Sequence, residues 1–290
     1  MLQKAIWMQL RRVYRGRRKN MIKVLGLMTC FNRKEKTIRA LNNLIKGNPN
    51  IEFSFIVADD ASSDGTMQAL KCFQNVQVLS GNGNLFYSGG MRLAITEAQN
   101  AETVYDYCML FNDDVEFFDT AIEALCKKDA SVIWVGPTCD ERGALSYGGI
   151  VKTSKWRPKT EIVKADSLEG RACDTFNANC VLIPWRIFKE LDNIDEVYTH
   201  SMGDFDYGFS AAKKGYQIRV SDNYVGVCPD NPVGVSWRNT ELSMKERLRR
   251  KESPKGLPKK EWFHYLNKNY NLITALVYSA IPYMRILIKK

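Results

Sequence analysis

Phe53-Ser54-Phe55-Ile56-Val57-Ala58-Asp59-Asp60-Ala61-Ser62-Ser63-Asp64-Gly65-Thr66 decides how this chain is to be read. A strand-like apolar run ends in two adjacent carboxylates, and Ser63-Asp64-Gly65 turns the chain into a short helical stretch from Thr66 to Phe73. The same grammar recurs on both sides. Upstream, Val24-Leu25-Gly26-Leu27-Met28 precedes a helix-like Lys34 to Lys46 with Ile38, Leu41 and Ile45 at helical spacing, and Gly47-Asn48-Pro49-Asn50 breaks it. Downstream, the strand Val76 to Leu79 leads through Gly81-Asn82-Gly83-Asn84 and Tyr87-Ser88-Gly89-Gly90 into a helix of about ten residues with Met91, Ala94, Ile95 and Ala98 on one face. A strand from Tyr107 then ends in Asn112-Asp113-Asp114. Alternating strands and helices predict an α/β chain with a Rossmann-like start.

In such sheets ligands lie beyond the carboxyl ends of the strands, which is where the acidic pairs stand. Asp59 and Asp60 admit two readings, a strand end leading into helix-capping residues or recognition of a nucleotide base or ribose. Adjacent acids Asp113 and Asp114 repel unless solvated or neutralised, and a divalent cation held there would also neutralise a diphosphate. A third pair, Asp204 and Asp206 in Gly203-Asp204-Phe205-Asp206-Tyr207, precedes an amphipathic stretch; beside the other two pairs it supplies a candidate general base. Asn177 and Asn179, ahead of the strand Val181-Leu182-Ile183-Pro184, are candidate sugar-hydroxyl ligands, and the Gly81–Gly90 loop resembles a phosphate-approach loop. His200 and His264 show no metal spacing and read as structural.

At 290 residues and 45 % hydrophobic the chain can bury a sizeable core. Its net charge of +10 is terminal: residues 1–20 carry seven cations and no acid, residues 241–290 a net +8, which leaves the body between them at −5. That distribution argues against a nucleic-acid partner and for an anionic membrane surface met by the termini. Eight cysteines without metal or disulfide spacing fit a reducing compartment. Pro282 and Arg285 interrupt the apolar run 271–288, so no transmembrane helix is read.

Taken together, Thr29-Cys30-Phe31-Asn32-Arg33, the Asp59–Thr66 stretch, Gly89-Gly90-Met91-Arg92, Asn112-Asp113-Asp114 and Gly203–Tyr207 with Lys214-Gly215-Tyr216 resemble, in order, the motifs of inverting glycosyltransferase family 2, most like bacterial members that build cell-surface polysaccharides such as O-antigen and capsule. The resemblance covers about residues 21–240. It implies a GT-A fold, a mixed and mainly parallel sheet flanked by helices, between a basic amphipathic segment 1–20 and a basic, aromatic helical segment 241–290. It places Thr29, Phe31 and Asp60 around the nucleotide base, with Arg33, Asp59, Gly89, Arg92 and Asp113 also at the donor. Asp114, helped by Asp113, would hold Mn²⁺ or Mg²⁺, Asp204 would be the catalytic base, and Asp206, Asn177 and Asn179 would meet substrate. The sequence departs from the family at Asn112, where some members carry an acid, at Gly203, where many have Glu, at Ser210, where many have Arg, and at Cys228, in the region where some place a metal-binding His.

These expectations describe an enzyme moving a sugar from dTDP-rhamnose or a UDP-sugar to a hydroxyl of a glycan acceptor, one linked to a polyprenyl diphosphate. It would work in the cytoplasm, peripherally on the inner face of the cell membrane. Two alternatives stay open: a sugar nucleotidyltransferase, which would usually carry a Gly-rich loop after the first strand where Thr29 to Arg33 has no Gly, and a non-catalytic sugar- or nucleotide-binding scaffold, which needs no base.

Overall fold

The computed structural model describes residues 21–229 and 236–288. The basic segment 1–20 lies outside the described residues. In the first half β1 (Ile22–Cys30), α1 (Lys34–Gly47), β2 (Ile51–Asp59), α2 (Thr66–Leu70), β3 (Val76–Ser80), α3 (Phe86–Asn100) and β4 (Tyr107–Phe111) alternate. Short elements follow: β5 (Glu116–Phe117), α4 (Ala121–Cys126), β6 (Ile133–Val135), β7 (Thr138–Cys139), β8 (Leu145–Tyr147), β9 (Gly149–Lys152), β10 (Thr160–Val163), β11 (Arg171–Ala172) and β12 (Thr175–Phe176). The chain then runs through β13 (Cys180–Pro184), α5 (Trp185–Glu190), α6 (Gly203–Lys213), β14 (Ile218–Val220), β15 (Gly226–Val227), α7 (Met244–Glu252), α8 (Lys259–Asn269) and α9 (Leu272–Ile288).

Eight strands form the central sheet in the order β11-β14-β6-β13-β4-β1-β2-β3. β1 is interior and parallel to both neighbours, which is why Val24, Leu25, Leu27 and Met28 are all buried and its sequence is continuously apolar rather than alternating. Leu25 and Leu27 pack with Met91, Ala94, Ile95 and Ala98 of α3 on one face. Val24 and Met28 pack with Leu41 and Leu44 of α1 on the other. β13 runs antiparallel to β4 and β6, making the sheet mixed as the family resemblance implies. The outer β-structure is a three-stranded sheet, β10-β9-β12, and a four-stranded one, β5-β15-β7-β8.

The C-terminal helices join this body. Tyr265 and Leu266 of α8 and Ala275 of α9 are buried in the same core as α3, and Tyr265 lies against Phe209 of α6 at 6.3 Å between ring centroids. Trp262 stacks on Tyr265 and donates its indole N–H to the carbonyl of Tyr278 at 3.2 Å. The aromatics of α8 therefore hold the C-terminal segment to the sheet. Among the described residues no helix is long and apolar enough to cross a membrane. None of the eight cysteines forms a disulfide among the described residues.

Two helices begin earlier than local periodicity indicates. α3 starts at Phe86, not near Met91, because the carboxylate of Asp60 accepts from the backbone N–H groups of Leu85 (2.9 Å) and Phe86 (3.0 Å) and so caps it from another loop. α6 starts at Gly203, so Asp204 and Asp206 lie inside its first turn instead of ahead of it.

Candidate active site

Register brings the acidic motifs to one edge. Cys30 at the end of β1 pairs with Asp59 at the end of β2, Leu27 pairs with Leu110 of β4, and the first residue of antiparallel β13, Cys180, pairs with Phe111. The loops after β1, β2 and β4 and the Asn177–Asn179 stretch before β13 consequently emerge side by side. The first two are tied together: the N–H of Asn32 donates to Ser62 Oγ at 2.8 Å and the N–H of Ser63 to Asn32 Oδ1 at 2.8 Å. Asp64 accepts from the N–H groups of Lys34 and Thr66, both at 3.0 Å, so one carboxylate serves the starts of α1 and α2 and fulfils the capping reading of this stretch.

Asp113 and Asp114 are partly neutralised by Arg33. Its Nη1 lies 2.8 Å from Asp113 Oδ1 and 3.2 Å from Asp114 Oδ2. Asp113 is buried, and its second oxygen accepts from Thr37 Oγ1 at 3.2 Å. Burial raises its carboxyl pKa even though Arg33 pulls the other way. Asp114 is the more exposed of the two, and its other oxygen faces the Cys228 thiol at 3.7 Å. Phe31, half exposed on the neighbouring loop, offers a free aromatic ring.

Asp204 is held at the first turn of α6, where Oδ2 accepts from the N–H of Ala178 at 3.2 Å and Oδ1 from that of Phe205 at 2.9 Å. Burial outweighs those two donors and pushes its carboxyl up to about 6. Gly203, one residue earlier, lets α6 approach α3, since a Cβ there would stand 2.4 Å from Ser88 Oγ and could be fitted only by displacing that side chain. Gly90 does the same for α3 against β1, its absent Cβ leaving room for Thr29 Oγ1 at 2.1 Å.

Two side chains come close to these carboxylates that the sequence reading does not assign to the site, Tyr87, quoted only as part of a loop, and His200, read as structural. The Tyr87 phenol is raised well above its usual range by burial and then by Asp204 and Asp114, and so lies within the field of both carboxylates. His200 accepts at Nδ1 from the N–H of Tyr87 at 3.4 Å and is pushed down to about 4 by burial, Lys255 and Arg33, so it is neutral at physiological pH. Nothing in the local sequence marks either residue, because their neighbours come from distant parts of the chain, the Tyr87–His200 contact itself spanning 113 positions.

Several expected site residues are placed elsewhere. Asp59 is fully buried beneath α1, with Oδ1 facing the Cys30 thiol at 3.7 Å and Oδ2 without a partner among the described residues. Asp60 is occupied by the backbone N–H groups of Gly83, Leu85 and Phe86 and organises the 81–86 loop instead of presenting itself to a base. Thr29 donates to the carbonyl of Ala58 at 3.0 Å and packs on α3. Gly89 is buried within α3, and Arg92 donates to the carbonyls of Asp195 and Tyr198, both at 3.0 Å, fixing the segment before α6. Asp206 is buried and faces α8, accepting from Lys268 Nζ at 2.7 Å and Asn269 Nδ2 at 2.6 Å, because a rotation of about 100° per residue carries it away from the face of Asp204. Asn179 is buried against Cys228 Sγ at 3.4 Å, whereas Asn177 keeps a buried Oδ1 without a partner among the described residues.

Among the described residues no group of three metal-ligating side chains assembles. The donor set does fit a hard cation shared with a ligand's phosphates: Asp114 is a partly exposed carboxylate at the end of β4, and Mg²⁺ or Mn²⁺ sites commonly use one or two carboxylates with phosphate and water completing the shell. The Cys228 thiol beside it is a poor match for such an ion.

Comparison with known proteins bears on this geometry. Residues 27–143 match the family model described as glycosyl transferase family 2. Among solved structures, a mannosyltransferase from Pyrobaculum calidifontis in complex with GDP-Man and Mn²⁺ is similar at 14 % identity and a TM-score of 0.53, covering 91 % of this chain and 76 % of that one. S. aureus TarS 1–349 is similar at 15 % identity and a TM-score of 0.51, over 90 % of this chain and 73 % of that one. Its complex with UDP gives 15 %, 0.53, 85 % and 71 % in the same order. At these identities the solved structures speak for the fold. No curated protein matches the sequence.

Proposed function

We propose, for a chain that over residues 27–143 belongs to glycosyl transferase family 2 and is built on the GT-A fold, that it moves a sugar from a nucleotide-diphosphate sugar to an acceptor hydroxyl with inversion at the anomeric carbon. The observation that carries this is Asp204: a carboxylate raised to about 6, fixed by two backbone N–H groups and near enough to Asp114 that one phenol feels both. A base poised there is ionised at neutral pH yet retains affinity for the proton it removes. Phe31 is the platform for the base, Arg33 faces the diphosphate, and Asn177 Oδ1 is an acceptor for a sugar hydroxyl. Asp114 would hold the Mn²⁺ or Mg²⁺, with Asp113 keeping Arg33 in place behind it. A cation bound there supplies Lewis-acid stabilisation of the departing diphosphate.

The donor proposed is dTDP-rhamnose or a UDP-sugar; the two neighbours with GDP-Man and UDP make all three nucleotides the panel to test. The acceptor proposed is a glycan on a polyprenyl diphosphate, met at the anionic inner face of the cell membrane during cell-surface polysaccharide synthesis. Its support is the positive charge of residues 1–20 and 241–290. Thermal shift with dTDP-, UDP- and GDP-sugars in Mn²⁺ tests the donor, since a ligand that binds only the folded state raises the melting temperature by mass action. One nucleotide should shift it, and NMR of the transferred sugar should show the inverted anomer. No shift with any nucleotide sugar, or retained configuration, contradicts the proposal.

A further inference from the structure

α9 is 17 residues long, about 25 Å of helix. Its inner side, Thr274, Ala275, Ser279, Pro282 and Ile286, is buried on the protein. On its outer side Ile273, Leu276, Val277, Met284, Leu287 and Ile288 are each more than half exposed. At about 100° per residue these six fall within an arc of about 120°, a continuous apolar stripe. The only charged side chain in the helix is Arg285, which is also exposed.

A second element stands beside the first turn of this helix. Thr274 Oγ1 donates to the carbonyl of Trp156 at 3.2 Å, and Lys152 Nζ donates to the carbonyl of Asn269 at 2.8 Å, so both ends of the α8–α9 junction are tied to the end of β9 and the segment that follows it. In that segment Trp156 is 75 % exposed, with Lys155, Arg157 and Lys159 exposed around it and no acid from Gly149 to Thr160. An apolar stripe, an exposed indole and a fringe of cations thus come together from residues more than 100 positions apart.

We propose that this surface docks on a bilayer containing anionic lipid, with α9 lying in the interface plane. The proposal rests on the membrane reading above and assigns it a place. A soluble monomer seldom leaves a stripe of this extent in water. The helix is too short, and too interrupted by Pro282, to span, while one apolar face with cationic flanks is the pattern of an interfacial helix. Trp156 would sit at headgroup level and the Lys155–Lys159 cations against lipid phosphates. Charge argues against two other occupants. A second copy would have to bury the same cations with no acid on α9 or on this loop to receive them. Segment 1–20 carries seven cations and no acid, so it repels the same fringe.

The test is co-sedimentation of the full chain with phosphatidylcholine vesicles, with and without phosphatidylglycerol, read beside sedimentation velocity and the donor-induced thermal shift in lipid-free buffer. Wild type should pellet with the anionic vesicles and be released by salt. Ile273→Glu with Leu276→Glu should weaken that binding at least about tenfold, since two large apolar side chains no longer leave water. Lys155→Gln with Arg157→Gln and Lys159→Gln should remove the preference for phosphatidylglycerol. All five positions are exposed, so both variants should keep the wild-type melting temperature and donor shift. Wild type that stays in the supernatant, variants that pellet as wild type does, or a dimer that the Glu variant dissociates without loss of vesicle binding would each overturn the assignment. Vesicle binding without any donor shift would overturn the proposed reaction and leave this surface standing.

Discussion

Asp59-Asp60 and Asp113-Asp114 stand at the ends of β2 and β4, the two strands that flank β1, and the chain uses these similar pairs in opposite ways. At the end of β2 one acid is buried and the other is saturated by three backbone N–H groups, neutral dipoles that convert a carboxylate into a helix cap. At the end of β4 the compensation is a single guanidinium shared between two acids, and Asp114 stays partly exposed. Dipoles that belong to the backbone fix geometry; a side-chain cation offsets charge and can be redistributed when a ligand arrives. The first pair is therefore architecture, and the second is the pair to which the proposed chemistry is assigned.

Substitutions should separate the two pairs cleanly. Asp114→Asn should lower transfer by roughly 10³-fold or more, about 4 kcal/mol of lost stabilisation, with little change in melting temperature, and transfer should require Mn²⁺ or Mg²⁺. Full activity in excess EDTA breaks that side of the comparison. Asp60→Ala should do the reverse in stability: three N–H groups at the start of α3 lose their acceptor, at a cost of about 2–4 kcal/mol by urea unfolding. An Asp60→Ala protein as stable as wild type would mean that the 81–86 loop holds itself.

A smaller version of the same contrast lies within α6. Asp204 accepts from the backbone N–H groups of Ala178 and Phe205, whereas Asp206 two residues on binds Lys268 and Asn269 and ties α6 to α8. Asp206→Asn should cost about 1–3 kcal/mol of stability and leave kcat within a few fold of wild type. Asp206→Asn damaging kcat more than Asp204→Asn does would reverse the assignment of the base.

Much of the frame could be read from the chain because its signals are local. The apolar run of β1 and the spacing of Ile38, Leu41 and Ile45 in α1 each lie within one element, so strand ends and the acidic edge follow from periodicity; of the three, Leu41 is fully buried and Ile38 and Ile45 pack partly buried against the same core. What could not be read depends on partners far along the chain. The start of α3 is set by Asp60, Arg92 is held by carbonyls more than 100 positions away, and Asp206 is paired 62 positions on. The family resemblance assigns Asp60 and Arg92 to the donor and Asp206 to substrate, and it carries no trace of these long-range partners. Tyr87 and His200 showed no signal for the complementary reason, that their surroundings exist only once the sheet is formed.

Asp204 also leaves a mark on stability. Its folded-state pKa lies above the ordinary 3.8, so the ionised form is disfavoured by folding and stability is lost as pH rises from about 4 to about 6. Asp204→Asn should therefore melt higher than wild type at about pH 7, and the difference should vanish below about pH 4.

The most direct measurement is the pH dependence of kcat/KM for wild type and Asp204→Asn. A base with a pKa near 6 works only when deprotonated, so wild-type kcat/KM, which follows the groups of the free enzyme, should climb through an inflection near pH 6 and level off above it. In Asp204→Asn that inflection should disappear and kcat fall about 10²–10⁴-fold, while donor affinity stays within about twofold. A variant that keeps the inflection, or that retains more than about a tenth of wild-type kcat, would contradict Asp204 as the base of a glycosyl transfer.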